Sequence, residues 1–199
     1  MRVVIAGGAG QVGTLLARAF HAEGHEVVVL SRAPASAQWR VREWDGETLG
    51  DWKAELEGAD VVINLAGRSV NCRYNSENRR QYVSWIHHRD FVSAIHWLID
   101  RTDFEGAVNL AAPSPLPNAE FMKALRRAWG ARIGLPAAAW MLEIGAIFLR
   151  TETELILKSR RVVPGRLLRE GFGFQFSTWP EAARDLCGRW REQHGRSPS

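Results

Sequence analysis

The sequence predicts an α/β fold, in which a parallel β-sheet is flanked by helices and is followed by a mostly helical C-terminal segment. Two short apolar runs, RVVIA at 2–6 and EVVVL at 26–30, are typical of strands in the middle of a parallel sheet. The run VVINL at 61–65 adds a third buried strand. Between the first two runs, apolar residues repeat at helical spacing until Gly24, which is positioned to end a helix: Val12, Leu15, Leu16, Ala19 and Phe20.

The first strand runs directly into the glycine-rich stretch GGAGQVG at residues 7–13, here called the glycine turn. A strand, a glycine turn, a helix and a second strand within about thirty residues form the βαβ unit of Rossmann-like, dinucleotide-binding sheets. Glycines let the backbone approach a pyrophosphate, and the free N–H groups at the start of the helix favour its charge. A glycine turn that serves packing alone is the alternative. The residues predicted to face the pyrophosphate are Gly7, Gly10, Gln11, Val12 and Gly13.

The residues after the second strand indicate the form of the cofactor. Sites that prefer NAD carry Asp or Glu there, which accepts a hydrogen bond from the 2′-hydroxyl of the adenosine ribose. This sequence has Ser31 and Arg32 instead, and a guanidinium pairs with a 2′-phosphate, so NADP(H) is favoured over NAD(H). A solvated surface arginine is the alternative. Leu65, Ala66 and Gly67 follow the third strand and are predicted to lie along the adenosine side.

The other elements are predicted from the alternation of residue types along a strand and from residues that typically begin or end helices. Residues 38–44 alternate like a strand near the sheet edge, residues 49–56 form a weak helix, and FGFQF at 172–176 alternates like a short strand. Asp90 is predicted to cap a helix with an apolar face, next to His87 in a packed loop. The remaining helices are marked by Asn118 with Gly130, by Pro136, by Pro164 with Gly171, and by Pro180.

Composition narrows the classes of partner. The 26 basic and 22 acidic residues give a net charge of +4, and the arginines occur in scattered pairs, so we expect no nucleic-acid partner. Two cysteines make no disulfide framework, and neither a secretory signal nor an apolar run of bilayer length is recognised, so we expect a cytoplasmic protein without a membrane partner. His87, His88 and His96 lack the spacing of zinc ligands, so no metal is expected.

Together these segments resemble the epimerase-like branch of the extended and atypical short-chain dehydrogenase/reductase superfamily. Residues 1–13, 24–34 and 59–67 are similar to its nucleotide-binding half. SWIHHRDFVSAI at 84–95 resembles its Trp-Ile-His-x-x-Asp segment, and residues 106–130 and 154–176 resemble the stretches that follow. The resemblance implies an NADP(H)-binding oxidoreductase or epimerase that acts on a small-molecule substrate, whose identity is unknown.

One departure from the family limits what the resemblance implies about catalysis. In the family, a long central stretch precedes the Trp-Ile-His segment and in some members holds a Tyr-x-x-x-Lys pair; here that stretch is missing, with a join near Arg80 and Gln81. Neither Tyr74 nor Tyr82 has a lysine four residues later, so the catalytic residues are unknown. An active enzyme would transfer hydride at a carbonyl or sugar carbon. The alternative is a non-catalytic NADP(H)-binding sensor, regulatory or interaction protein.

The predicted organisation is a dinucleotide-binding domain over residues 1–112 and a small, mostly helical segment over residues 113–199. Without the central strands of the family, one edge of the sheet lacks its neighbour. Unpaired strand edges favour association with another chain, so we expect pairing with a second copy as a homodimer.

Overall fold

The structure is a computed structural model that describes residues 1–66, 82–131 and 161–195. The chain divides into two compact units, Met1–Val70 and Asn71–Ser199, each of which is described by itself. Gly67, the predicted join at residues 80–81 and the helix predicted after Pro136 lie outside the described residues. In the described ranges, no helix combines the length and the apolar content needed to cross a membrane.

The first unit is built on a four-stranded parallel sheet with the order β3-β2-β1-β4. Val3 of β1 lies opposite Val27 of β2 on one side and Val61 of β4 on the other. The chain therefore builds the sheet outward through β2 and β3, and then returns to the other side of β1 with β4. This confirms the predicted α/β fold. The elements are β1 (Arg2–Ala6), α1 (Gln11–Ala22), β2 (Glu26–Ser31), β3 (Arg40–Glu43), a 3₁₀ helix (Asp51–Glu55) and β4 (Val61–Asn64).

Both faces of the central strands are buried, which explains their continuous apolar sequence. On one face Val4 and Val28 pack with Trp44 and Trp52. Helix α1 lies against β1 and β2. Of the predicted apolar stripe, Leu16 and Phe20 are inaccessible to solvent, as is the neighbouring Ala17, whereas Val12 is exposed. The glycine turn therefore follows a strand that is held in place by packing on both faces of the sheet.

A buried carboxylate ties the 3₁₀ helix to the sheet. Glu55 is 3% exposed and forms ion pairs of 2.8, 2.8 and 2.6 Å with Arg2, Arg40 and Arg42. Burial alone would raise the pKa of Glu55, but the hydrogen bond from Arg42 and the three positive charges outweigh it and lower that pKa. The weak helix predicted over residues 49–56 is this short 3₁₀ turn, held by the ion pairs of Glu55 and by the packing of Trp52 against the sheet.

The second unit is mostly helical in its described residues. Trp85, Phe176 and Trp179 form the centre of its core, and α3 packs along α5. The helix that the sequence placed between Asn118 and Gly130 is confirmed, with Gly130 in the left-handed conformation that ends it. The elements are β5 (Tyr82–Val83), α2 (His88–Ile99), β6 (Leu116–Pro117), α3 (Asn118–Trp129), α4 (Gly165–Arg169) and α5 (Trp179–His194), with β5 and β6 antiparallel.

Two local predictions in this unit are wrong for one shared reason. The strand predicted over residues 172–176 is a loop, and Asp90 does not cap α2. The buried Asp90 carboxylate instead accepts hydrogen bonds from the backbone N–H groups of Gln175, at 2.7 Å, and Phe176, at 3.0 Å. His87 caps α2, because its Nδ1 accepts from the N–H of Arg89. The loop donates its N–H groups to a side chain, so it needs no partner strand.

Candidate dinucleotide-binding site

The glycine turn begins where the ends of three strands meet. Gly7 has a φ of +72°, which only glycine adopts readily, and its N–H donates to the carbonyl of Leu30 at the end of β2. A Cβ on Gly7 would lie 2.8 Å from the backbone nitrogen of Ala66, which follows β4. Gly7 is therefore held between the ends of β2 and β4. In parallel sheets, the crevice that binds ligands opens where the strand order reverses, as it does here between β1 and β4.

Gly10 and Gly13 have opposite surroundings. A Cβ on Gly13 would lie 2.4 Å from both the Cα and the carbonyl oxygen of Gly8, so Gly13 lets α1 pack against the turn. A Cβ on Gly10 would meet no atom within 4 Å. Gly10 therefore leaves open space at the start of α1 rather than filling a packing requirement. That space is where a pyrophosphate would approach the backbone.

The first turn of α1 has the free polar groups that an anion requires. Gly10 is the N-cap and cannot cap with a side chain, and the first turn contains no acidic residue. The backbone N–H groups at this end are therefore available to an anion, and the helix dipole favours negative charge there. Gln11 and Val12 are both exposed, Val12 by 47%, although valine is usually buried. The glycine turn thus presents an open, uncapped helix start flanked by an exposed apolar side chain.

At the end of β2, Ser31 and Arg32 have different environments. Ser31 is 6% exposed, and its hydroxyl bonds within the chain to the N–H of Ala33, at 3.2 Å, and to the carbonyl of the same residue, at 3.3 Å. Arg32 is exposed and has no ion pair or hydrogen bond within the part of the chain that the structure describes. Ser31 therefore shapes the turn, while the Arg32 guanidinium keeps its donors for a ligand.

The residues after β4 close the other side of the crevice. Leu65 donates its N–H to the carbonyl of Ala6 at 2.8 Å, and the Asn64 side chain accepts from the N–H of Ala66 at 2.9 Å. The structure thus brings Leu65 and Ala66 against Gly7 of the glycine turn.

A cavity of about 570 Å³ adjoins the glycine turn and was not predicted from the sequence. Helix α1 contributes Thr14 and Arg18 to it, and the connection between β2 and β3 contributes the residues on the opposite wall. The connection carries no periodic pattern, so its path along α1 could not be read from the sequence. The complete lining is Gly8, Ala9, Thr14, Arg18, Val29, Ala35, Ser36, Ala37, Gln38, Trp39 and Val41.

His87 and His88 of the second unit form hydrogen bonds that hold elements of the fold together. His87 is 1% exposed; its Nδ1 accepts from a backbone N–H, so its Nε2 donates to Asp185 at 3.1 Å. His88 accepts at Nε2 from Arg189 at 2.9 Å. Burial lowers the pKa of both histidines, that of His88 to about 4 with further lowering by His87 and Arg189. Both nitrogens of His87 are in use, and no group of three metal-ligating side chains occurs among the described residues.

Comparison with known proteins assigns the N-terminal part of the chain to a family. Residues 3–84 match the NAD dependent epimerase/dehydratase family. The N-terminal part of the chain is a domain of that family. The match contains β1, the glycine turn, β2 and β4, and it confirms the predicted resemblance to the epimerase-like branch. Residues 137–186 match a domain of unknown function, DUF1731.

Curated relatives and one solved structure extend the comparison. The chain is 38% identical to an epimerase family protein of Mycobacterium bovis over 105 residues, 52% of this chain and 34% of that protein. It is 36% identical to one of Mycobacterium leprae over 159 residues, 71% of this chain and 50% of that protein. The chain thus matches no more than half the length of these two epimerase-family relatives. The crystal structure of the human epimerase family protein SDR39U1 (isoform 2) with NADPH has a TM-score of 0.70 at 19% identity, over 94% of this chain and 99% of that one, which shows a shared fold.

The ten residues predicted from the sequence contain no acid or base that titrates near neutral pH. Nine of them lie in the described structure, at the glycine turn, the end of β2 and the stretch after β4. Glycine backbone, an exposed guanidinium and small apolar side chains can bind and orient a dinucleotide. They cannot transfer a proton, so this site by itself supports binding chemistry.

Proposed function

We propose that this chain binds NADP(H) across the glycine turn, with the pyrophosphate at the start of α1. The observation that carries the proposal is the open space at Gly10 beside an uncapped helix start. A Cβ on Gly10 would meet no protein atom, so a bound ligand is what would require glycine at this position. Gly7, Gly10 and Gly13 would hold the pyrophosphate with Gln11 and Val12, and Leu65, Ala66 and Gly67 would lie along the adenosine. Bound NADPH would supply a hydride donor.

The preference for NADP(H) over NAD(H) is proposed on Arg32. A 2′-phosphate carries negative charge that the exposed guanidinium can neutralise with bidentate hydrogen bonds. A free 2′-hydroxyl offers no such charge, and no acidic side chain occupies this position to accept from it. The human relative crystallised with NADPH supports the same cofactor.

Equilibrium titration with NADPH and NADH, followed by nicotinamide fluorescence, tests the preference. The wild-type chain should bind NADPH more tightly, and Arg32→Glu should weaken NADPH binding by about 10- to 100-fold, the effect of losing a charge-assisted hydrogen bond. NADH binding should be retained or strengthened, because the introduced carboxylate can accept a hydrogen bond from the free 2′-hydroxyl. Lys53→Glu is the matched control. Lys53 is exposed in the same unit, and its substitution changes the charge by the same amount away from the glycine turn. Equal affinities for both nucleotides, or an Arg32→Glu variant that binds NADPH normally, would refute the preference.

Whether the bound nucleotide reacts separates two candidate functions. The family favours an oxidoreductase or epimerase acting on a small molecule. The sequence favours a non-catalytic sensor on one observation, since neither Tyr74 nor Tyr82 is followed by a lysine four residues later. Mixing the NADPH complex with a panel of carbonyl compounds and nucleotide sugars distinguishes them. Loss of NADPH absorbance in a single turnover supports an enzyme, and an unchanged spectrum with every compound supports the sensor.

A further inference from the structure

A cavity of about 480 Å³ lies between α3 and α5 of the second unit and is here called the α3–α5 groove. Its volume is in the range of sites that bind small molecules. Apolar side chains form one part of the lining, and charged side chains that are exposed to solvent form the rest. The lining consists of Leu116, Glu120, Lys123, Ala124, Arg127, Ala128, Pro180 and Arg184, all of the second unit.

The two helices that form the groove are fixed side by side. Phe121 of α3 stacks on Trp179 of α5, with the ring centroids 3.9 Å apart, and the Trp179 indole donates to the carbonyl of Phe121 at 2.9 Å. Near the other end of α3, the Arg191 guanidinium donates to the carbonyl of Ala128 at 2.6 Å. Contacts at both ends hold the walls in place, so the groove is formed before a ligand binds.

The walls bring three cations together that have no partner in the protein. Lys123 and Arg127 lie one helical turn apart on α3, and helical side chains lean toward the start of their helix, so Arg127 extends toward Lys123. Arg184 lines the same groove from α5. Within residues 1–66, 82–131 and 161–195, none of these three side chains forms an ion pair or a hydrogen bond. Like charges at this spacing repel, and an anion between them would relieve the repulsion.

The acidic side chain of the lining does not neutralise these cations. Glu120 forms no ion pair with another residue of the described ranges, and three cationic and one acidic side chain leave the groove a net charge of +2. An arginine one turn after Arg184 has different surroundings, since Arg189 bonds to His88 at 2.9 Å and ties α5 to the start of α2. The guanidiniums of Arg127 and Arg184 do not stabilise the described fold in this way, so their donors are available to a ligand.

We propose that the α3–α5 groove binds a small organic phosphate, with the phosphate group between Lys123, Arg127 and Arg184. A phosphate monoester carries a charge close to −2 at neutral pH, which balances the net charge of the lining. A guanidinium binds two oxygens of a phosphate at once, and two guanidiniums from different helices can bind different oxygens of one group. The apolar side chains of the lining would contact the carbon skeleton of the ligand. The inference does not rest on the proposed function, because no residue of the glycine turn lines this groove.

Calorimetric titration with three small molecules tests the ligand class. Glycerol 3-phosphate is a small phosphate monoester, glycerol is its uncharged counterpart, and succinate divides the same charge between two separate carboxylates. The wild-type chain should bind glycerol 3-phosphate at least about tenfold more tightly than succinate, because only the phosphate presents all its oxygens to the three cations at one point. Glycerol should give no measurable binding.

Substitutions in the α3–α5 groove test which residues bind the phosphate. Arg127→Ala and Arg184→Ala should each weaken glycerol 3-phosphate binding by about tenfold, the effect of losing a charge-assisted hydrogen bond. Glu120→Gln should strengthen it by about two- to fivefold, because a negative charge is removed from the lining. Arg169→Ala is the matched control, since Arg169 is an exposed arginine of the same unit outside the lining, and it should bind like the wild-type chain. Alanine is favourable within a helix, so the variants should fold, and their melting temperatures verify this.

Four results would overturn the proposal. The first is a wild-type chain that binds no glycerol 3-phosphate at millimolar concentration, and the second is an Arg169→Ala chain that is impaired as much as Arg127→Ala. The third is succinate bound as tightly as glycerol 3-phosphate. The fourth is an acidic peptide bound more tightly than glycerol 3-phosphate and lost in the same variants, which would make the groove a protein-interaction surface.

Titration of Arg127→Ala with NADPH separates this inference from the proposed function. Unchanged NADPH affinity together with weakened glycerol 3-phosphate binding supports a second ligand site. A loss of NADPH affinity would show that the groove holds part of the cofactor and would overturn the assignment of a separate ligand. A wild-type chain that binds glycerol 3-phosphate but not NADPH would refute the proposed function alone.

Discussion

Replacing Gly10 by alanine should weaken nucleotide binding strongly without disturbing the fold. Gly10 has φ −75° and ψ 174°, which alanine adopts freely, and the added Cβ would meet no protein atom within 4 Å. Alanine is a poorer N-cap than glycine, but it also lowers the entropy of the unfolded chain, and these effects oppose each other. The free energy of unfolding should therefore change by less than about 1 kcal/mol.

The effect on binding follows from the size of the methyl group. A phosphate oxygen bonded to a backbone N–H lies about 2.9 Å from the nitrogen, whereas a methyl carbon keeps its neighbours about 3.5 Å away. The pyrophosphate must therefore retreat, and its hydrogen bonds at the start of α1 lengthen or break. Each charge-assisted bond lost costs about 1.5–3 kcal/mol, so NADPH affinity should fall by at least about tenfold.

Gly13→Ala is the matched contrast. Its Cβ would lie 2.4 Å from the Gly8 backbone, so α1 must shift and the packing of Leu16 and Phe20 must loosen. We expect Gly13→Ala to lower the free energy of unfolding by about 1–3 kcal/mol or more. Urea unfolding and NADPH titration are measured on both variants. A Gly10→Ala chain that binds NADPH with wild-type affinity would refute the proposed role of the open space at Gly10.

Two further predictions concern the second unit. Asp90→Asn should lower the free energy of unfolding by about 1–3 kcal/mol, because an amide has one acceptor oxygen for the two N–H groups of Gln175 and Phe176. Urea unfolding measures this loss, with the exposed Asp103→Asn as the control. Stability should also fall as the pH drops from 6.5 toward 4, because burial depresses the native pKa of His88 to about 4 and the unfolded chain takes up the proton first. Thermal unfolding across this range should show a shallower dependence in His88→Gln than in the exposed control His194→Gln, and identical slopes would contradict the assignment.

The elements near the glycine turn could be predicted because local sequence and tertiary structure agree there. β-Branched runs form the central strands, and the helical spacing after Val12 gives α1, which ends at Ala22 just before Gly24. Gly7 shows this agreement, since its positive φ and its close approach to Ala66 both require glycine. The expected homodimer, the 1–112 boundary and the missing central stretch stay predictions.

The parts that could not be predicted depend on contacts between residues far apart in the sequence. Residues 172–176 alternate like a strand, but their N–H groups bond to Asp90, more than eighty residues earlier. Likewise, Arg18 occupies an exposed helix position that is usually solvated, and only the path of the β2–β3 connection places it on a cavity wall. Thr14 and Arg18 are four residues apart, which places them on one face of α1, but this spacing does not predict the residues on the opposite wall of the cavity.

A crystal structure of the chain grown in excess NADPH tests the central proposal most directly. We predict electron density for the pyrophosphate against Gly10 and Gln11, with the 2′-phosphate within hydrogen-bond distance of the Arg32 guanidinium. Density for the nucleotide at another surface, or a glycine turn filled by the chain's own side chains at saturating NADPH, would contradict it.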